Sequence, residues 1–280
     1  MRERLPEYLK RPIINTDTTK NVRIILRRHG LNTVCENARC PNKNECYTKN
    51  TATFLIMGNV CTRNCKYCNI SCAKPEPVDE SEPQNVAQAV KDLGLKYAVI
   101  TSVTRDDLPD GGAIYFKKCI ENIRELAPET KVEILTPDFK GNKNSLDTII
   151  SAKPDVFNHN IEATKNIFKK VRPQGDYSRS LEVLCYIKEN SEIKTKSGLM
   201  VGLGESFDDI EETFVDLKDI GCDILTVGQY IQPSKQHYPH GKYYTLKEFE
   251  HLQELAKKVG FKHYQINPLV RSSYMASDMV

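Results

Sequence analysis

Seven of the ten cysteines in this 280-residue chain lie between residues 35 and 72. Thiols crowded in this way form disulfides, bind metal or do redox work. Cys61, Cys65 and Cys68 are spaced x3 then x2, while Cys35, Cys40 and Cys46 are spaced x4 then x5. A disulfide framework suits small secreted domains, and the N-terminal stretch shows neither a continuous apolar region nor a cleavage-like site, so metal or redox chemistry is the expectation. Thiolates are the ligands of iron–sulfur clusters. Four would complete the coordination of a cubane, whereas three leave one iron open to a different donor. A structural zinc loop is the alternative for the first triad, but zinc favours paired Cys-x2-Cys knuckles with a fourth ligand. Cys72 could supply a fourth thiol, yet Cys65, Cys68 and Cys72 reverse the x3–x2 order, and it is read as a bystander. Cys119, Cys185 and Cys222 stand alone in apolar-patterned segments and read as small buried hydrophobes.

The elements that must position these thiols alternate regularly. Short β-branched runs are predicted as strands at Thr53–Met57, Tyr97–Ser102, Lys131–Leu135, Val156–Ile161, Lys196–Val201 and Ile224–Gly228. Helical patterns fall between and after them, near 83–93, 112–126, 144–151, 178–190, 207–220 and 245–259. Strand followed by helix throughout implies parallel strands with right-handed crossovers. The fold class is therefore α/β, and six units suit a partial (β/α)6 TIM-like barrel, with a doubly wound open sheet as the competing topology. Both place ligands at the carboxyl ends of strands. Polar clusters do follow the strands, at Asn59–Cys68, Thr101–Gly112, Thr136–Phe139, Gly202–Glu205 and Gln229–Ser234. Residues 1–50 read as an N-terminal extension carrying the x4–x5 cysteines and a short amphipathic helix over 21–29. Residues 51–260 read as the barrel, and 261–280 as a C-terminal extension.

Composition excludes other classes. The chain is 39% hydrophobic and 28% charged with a net charge of +3, so no global field points to nucleic acid or a membrane surface. No apolar run is long enough to cross a bilayer. A soluble cytoplasmic protein is expected.

The x3–x2 triad after a first strand, with Tyr67 just before its last cysteine, resembles the radical S-adenosylmethionine superfamily. A more specific resemblance is carried by the x4–x5 triad, the segment Ala52–Asn69 and the C-terminal Arg271-Ser-Ser-Tyr274, together with Thr101–Gly112, Phe157–Asn160, Lys196–Glu205 and Gly228–Ser234. From about residue 5 to residue 276 the chain looks like the lipoyl synthase family. That resemblance implies two 4Fe–4S clusters and S-adenosyl-L-methionine. Cys61, Cys65 and Cys68 would hold the cluster whose open iron binds the cofactor. Cys35, Cys40 and Cys46 would hold an auxiliary cluster completed by Ser272, with Ser273 the less favoured choice. It further implies insertion of two sulfur atoms at carbons 6 and 8 of a protein-bound octanoyl-lysine chain, through 5′-deoxyadenosyl radicals, with the auxiliary cluster as sacrificial sulfur donor. An alkyl C–H bond has no acidic proton and no leaving group, so no acid–base catalytic residue is expected.

The implied partners are an octanoylated lipoyl-carrier domain or the glycine-cleavage carrier protein, and an electron-donor reductase; neither nucleic acid nor membrane is implied. Thr101, Ser102 and Arg105 follow the second strand and are candidate cofactor contacts, as are Asn160 and Glu162 after the fourth. Each could equally be a strand-end turn. His159 reads as a hydrogen-bonded strand-end histidine, Asp110-Gly111-Gly112 as a tight turn, and Gly202-Leu-Gly204 as weak evidence for any nucleotide. The basic N-terminal stretch could dock an acidic carrier or simply be solvated. Other sulfur-inserting or methylthio-transferring radical enzymes, and a non-catalytic iron–sulfur sensor, are the competing readings.

Overall fold

The computed structural model describes residues 4–12, 16–49 and 51–279. Its main sheet has eight strands. β1 (Asn32–Thr33) runs antiparallel to β2 (Thr53–Ile56). Parallel strands β5 (Tyr97–Ser102), β6 (Lys131–Leu135), β7 (Val156–Asn158), β8 (Lys194–Val201), β9 (Ile224–Gln229) and β10 (His263–Ile266) then follow β2 in strict chain order. Short strands β3 (Val60–Cys61) and β4 (Ser71–Cys72) pair with each other in the loop after β2. A doubly wound sheet would reverse its order at a switch point; this one does not.

The strands curve around an interior. Lys196 of β8 reaches Glu133 of β6 at 3.0 Å across the intervening β7, and both side chains are fully buried. Tyr97 and Asn158 also donate to that carboxylate, at 2.7 and 2.9 Å. On the same interior, Val99 of β5 and Ile224 of β9 pack against Ala276 and Met279 of a C-terminal 3-10 turn. These strands are not sheet neighbours, so the sheet wraps about the tail. Its ends, β1 and β10, are not paired with each other, and the barrel is partial.

The outer layer consists of α4 (Glu82–Asp92), α5 (Ala113–Leu126), α6 (Lys143–Ala152), α7 (Lys165–Val171), α8 (Tyr177–Asn190), α9 (Phe207–Asp219) and α10 (Leu246–Val259). Their apolar stripes (Val86, Phe116, Ile149, Leu184, Phe214 and Leu252) meet strand residues such as Phe54, Ile100, Ile134 and Phe157 in one buried core. Helix starts are fixed chemically: Ser206 with Asp209 and Thr245 with Glu248 form capping boxes at α9 and α10.

The N-terminal helix α1 spans Asp17–Arg28, four residues earlier than the expected start, because Thr16 and Thr19 build a capping box ahead of the apolar stripe. Short helices α2 (Val34–Asn37) and α3 (Lys43–Thr48) carry the x4–x5 cysteine segment. Seven parallel strands replace the predicted six. The seventh, His-Tyr-Gln-Ile, has a single fully buried residue and so no apolar run to announce it. It carries the sheet past the expected barrel end at 260. Helix α7 was also unpredicted, being only seven residues long.

Candidate active site

The x3–x2 triad occupies the loop after β2, and backbone amides point at its sulfurs. Cys61 Sγ accepts from the amides of Arg63 (3.4 Å) and Thr104 (3.3 Å), and Cys68 Sγ from Ile70 (3.5 Å). Such bonds favour the thiolate and tune a bound cluster. Burial acts the other way, pushing Cys68 up to about 12 and raising Cys65, with the neighbouring thiols of the triad adding to both. Cys65 and Cys68 therefore carry their protons until a metal displaces them. Cys72 pairs with Cys61 through the β3–β4 ladder and is exposed.

An ion cage that spacing did not reveal pins this loop. Arg63, buried inside the motif, makes a bidentate bond to Asp106 at 2.6 and 2.9 Å and reaches Asp138 at 2.7 Å. Burial pushes the Asp138 carboxyl up, but the Arg63 pair overrides this and holds it well below the usual carboxylate range. Thr62 adds backbone and side-chain bonds to the Thr104 carbonyl. Upstream, Glu82 accepts from the Met57 amide at 2.6 Å, and burial raises it to about 7. Arg105 holds the other side of that residue through the Met57 carbonyl (3.3 Å), while its remaining donors grip Asp107. Arg105 thus shapes the loop's entry. The Thr101 hydroxyl is spent on the Leu135 carbonyl within the sheet at 2.7 Å. Ser102 Oγ and Thr136 Oγ1, at the ends of β5 and β6, are buried with no protein partner, a polar rim suited to a bound polar ligand.

Asn160 and Glu162 meet at the centre. Glu162 has a left-handed backbone (φ 70°), locked on both sides by β8: its amide donates to the Gly198 carbonyl and its carbonyl accepts from Met200. Burial raises its carboxyl, against Arg172, the Asn160 amide (3.2 Å) and the Tyr67 hydroxyl. Arg172 lies over the Phe168 ring and donates to the Asn160 carbonyl at 3.1 Å. His159 donates from Nδ1 to the Thr136 carbonyl (2.9 Å), and burial lowers it to about 4, so it is neutral at pH 7. Gly202 sits at φ 97° where a Cβ would meet Gln229 Nε2 at 2.2 Å, which makes Gly202-Leu-Gly204 a packing turn.

The x4–x5 triad joins this mouth. Burial pushes Cys35 up to about 12 and Cys46 to about 11, with Cys40 adding to both. The Asn69 side chain, next to Cys68, donates to the Asn37 carbonyl at 3.0 Å and ties the two cysteine segments together. The C-terminal motif is clamped to the same segment: Asn42 donates to the Leu269 carbonyl at 2.6 Å, and the Tyr274 hydroxyl to Glu45 at 2.9 Å. Between those clamps, Ser272 donates to Asn160 Oδ1 at 2.8 Å, and its neighbour Arg271 lies within charge range of Cys40 and Glu162. Residues predicted for two separate sites thus share one hydrogen-bonded chain, Ser272–Asn160–Glu162–Tyr67.

Among the described residues no three His, Cys, Asp or Glu side chains converge to hold a single ion. A cubane makes no such demand, since it binds each thiolate at a different iron and needs thiols that surround it. Two groups of three mutually interacting thiols, one with amides directed at its sulfurs, fit that requirement. Of the other cysteines, Cys119 and Cys222 are buried as expected, while Cys185 is only half-buried.

A partial parallel barrel whose first strand leads into a three-cysteine loop defines a radical S-adenosylmethionine protein, and the sequence profile of the Radical SAM superfamily matches residues 55–217. Among solved structures, Streptococcus suis SuiB bound to S-adenosylmethionine has a TM-score of 0.62 at 13% identity, covering 91% of this chain and 57% of its own. Methylornithine synthase (PylB) has a TM-score of 0.57 at 13% identity, covering 89% and 82%. At these identities the likeness speaks to the fold alone. A lipoyl synthase of Caldanaerobacter subterraneus subsp. tengcongensis is 49% identical over 277 residues, 99% of this chain and 97% of that protein. A lipoyl synthase of Caldicellulosiruptor saccharolyticus is 49% identical over 279 residues, 99% and 98% of the two chains. The chain belongs to the lipoyl synthase family. It is a sulfur-inserting radical S-adenosylmethionine enzyme that works with 4Fe–4S clusters.

Proposed function

We propose that this chain inserts two sulfur atoms, at carbons 6 and 8, into an octanoyl chain amide-linked to a lysine of a lipoyl-carrier domain or the glycine-cleavage carrier protein. The observation that carries this reading is the joining of two separate cysteine triads at one mouth, through Asn69–Asn37 and through the clamped serine motif. When bound, the first cluster with S-adenosylmethionine supplies a radical able to break an unactivated C–H bond, and the second supplies sulfur. Cys61, Cys65 and Cys68 would hold the first cluster; Cys35, Cys40, Cys46 and Ser272 would hold the second. Ser272 must surrender its proton and its bond to Asn160 to serve as ligand, which makes it the weakest of the four donors. Ser102, Asn160 and Glu162 face the cofactor in this reading, while Thr101 and Arg105 hold the walls.

Residues 1–50 and the segment after Ile266 act as cluster-binding extensions of the barrel. An external reductase supplies electrons, and the enzyme works in the cytoplasm. Among the described residues no helix is long and apolar enough to cross a membrane.

The test is anaerobic reconstitution to about eight irons per chain, followed by incubation with S-adenosylmethionine, a strong reductant and an octanoyl-lysine peptide. Mass spectrometry should show two sulfurs gained as a dithiol, and two hydrogens lost once that dithiol is oxidised to the cyclic disulfide. Cofactor cleavage with no sulfur in the peptide refutes the reading.

A further inference from the structure

Three chain segments without a single acidic residue converge beside the first triad. Residues 61–75, 163–175 and 224–247 together hold ten of the 40 Lys and Arg and none of the 37 Asp and Glu, so the rest of the chain holds 30 against 37. A net charge of +3 therefore hides a strong asymmetry. Main-chain hydrogen bonds bring the three together: the Lys66 amide donates to the Val171 carbonyl at 2.7 Å, and the Lys66 carbonyl accepts from the Tyr238 amide at 2.7 Å. Gln174 Oε1 accepts from the Asn64 amide at 3.0 Å. His237 donates from Nε2 to the Cys68 carbonyl at 3.0 Å while its Nδ1 accepts from Ser234. Lys66, Lys170 and Lys235 stand at these junctions, half-exposed or exposed. No ion pair engages any of them among the described residues, whereas Lys165 and Lys242 at the edges pair with Glu212 and Glu248, and Arg63 is buried against Asp106 and Asp138. Unpaired cations concentrated around a site entrance raise the local concentration of anions.

The substrate chain is itself uncharged, so the rim is aimed at whatever presents that chain. We propose that this acid-free rim is the docking surface for the carrier domain, and that the domain meets it with an acidic face. This rests on the function proposed above. The basic helix α1 is the competing surface, but its C-terminal neighbour His29 pairs with Asp92 at the far end of α4. That places Arg27 and Arg28 toward the amino ends of the barrel strands, away from the loop that carries Cys61, Cys65 and Cys68.

The experiment uses reconstituted enzyme, an octanoylated lipoyl-carrier domain and an octanoyl-lysine tripeptide. The Lys170→Glu/Lys235→Glu variant should raise the Kd for the domain about tenfold at low salt and flatten its salt dependence, as expected for rim charges. Sulfur insertion into the tripeptide should stay at the wild-type level, and Arg27→Glu/Arg28→Glu should change neither. Unaltered domain affinity in the rim variant, or a loss confined to the α1 variant, overturns the proposal. So does a rim variant that loses tripeptide turnover together with domain binding, since that reports a damaged mouth. Wild-type enzyme that binds the domain through the rim but leaves the tripeptide unsulfurated would sink the function and keep the docking surface.

Discussion

Glu82 and Cys40 show how much hangs on single side chains. The Glu82 carboxyl is raised by burial to about 7 from an ordinary 4.5, although it accepts the Met57 amide. A raised carboxyl holds its proton more tightly when folded. That stabilisation is complete below pH 4.5 and is lost as the pH climbs through 7. Glu82→Gln keeps an acceptor for Met57 and never ionises. The unfolding free energies of wild-type and variant apoprotein should be similar at pH 4. They should differ by about 3 kcal/mol in favour of the variant at pH 8, and parallel pH profiles would refute this account. Cys40 lies within charge range of Arg271, beside Ser272. Cys40→Ala should lower bound iron from about eight to about four per chain. It should still cleave S-adenosylmethionine reductively but deliver no sulfur. Loss of both activities would mean that the triads do not have separate roles.

At the scale of elements, the C-terminal segment depends on the smallest side chain in β9. A Cβ on Gly228 would lie 2.0 Å from the Val270 carbonyl oxygen, a backbone atom that cannot swing aside. Gly228→Ala should therefore push residues 268–279 off the barrel, at a cost of about 1–3 kcal/mol. Hydrogen exchange should show that tail losing protection while β5 to β8 keep theirs. Because Ser272 travels with the tail, sulfur insertion should fall far more than cofactor cleavage. A contrasting case is Gly112, which caps α5 at φ 91° with its amide on Asp110. Here a Cβ would strike the Met57 thioether at 2.3 Å, so the turn expected from Asp110-Gly111-Gly112 also supports the entry to the x3–x2 cysteine loop.

The whole molecule is held in its curve partly by an interior ion pair. Lys196 and Glu133 are both fully buried, and burial lowers the lysine despite the carboxylate beside it. Lys196→Met leaves that carboxylate to Tyr97 and Asn158 alone, and should cost about 3–5 kcal/mol in denaturant unfolding. Lys196→Met/Glu133→Leu should recover most of the loss, because two apolar residues need no mutual charge. A double variant as unstable as the single one would show that the pair's geometry, and not its charge, is what the barrel requires. The N- and C-terminal extensions close on each other through Asn42–Leu269 and Tyr274–Glu45, contacts more than two hundred residues apart in sequence.

What could be read from the chain in order was whatever short-range chemistry dictates. Cysteine spacing marked both triads, because the three thiols of each lie on one short segment. Apolar periodicity marked six of the seven parallel strands and most helices, because each of those buries a face of its own. β10 and α7 escaped because one is polar and the other too short to show a period. The folded chain alone decided which distant groups meet. Arg63 reads as an ordinary basic residue until Asp106 and Asp138 close on it; Glu82 and Gly228 carry no local mark of the Met57 amide or the Val270 carbonyl they face. It also decided that Thr101 turns its hydroxyl into the sheet while Ser102, one residue on, leaves its own unpartnered at the mouth. The reason is the same in each case. Propensity and spacing act along a few residues, whereas a buried donor, a tight backbone approach or an ion cage exists only when remote strands have been wound side by side.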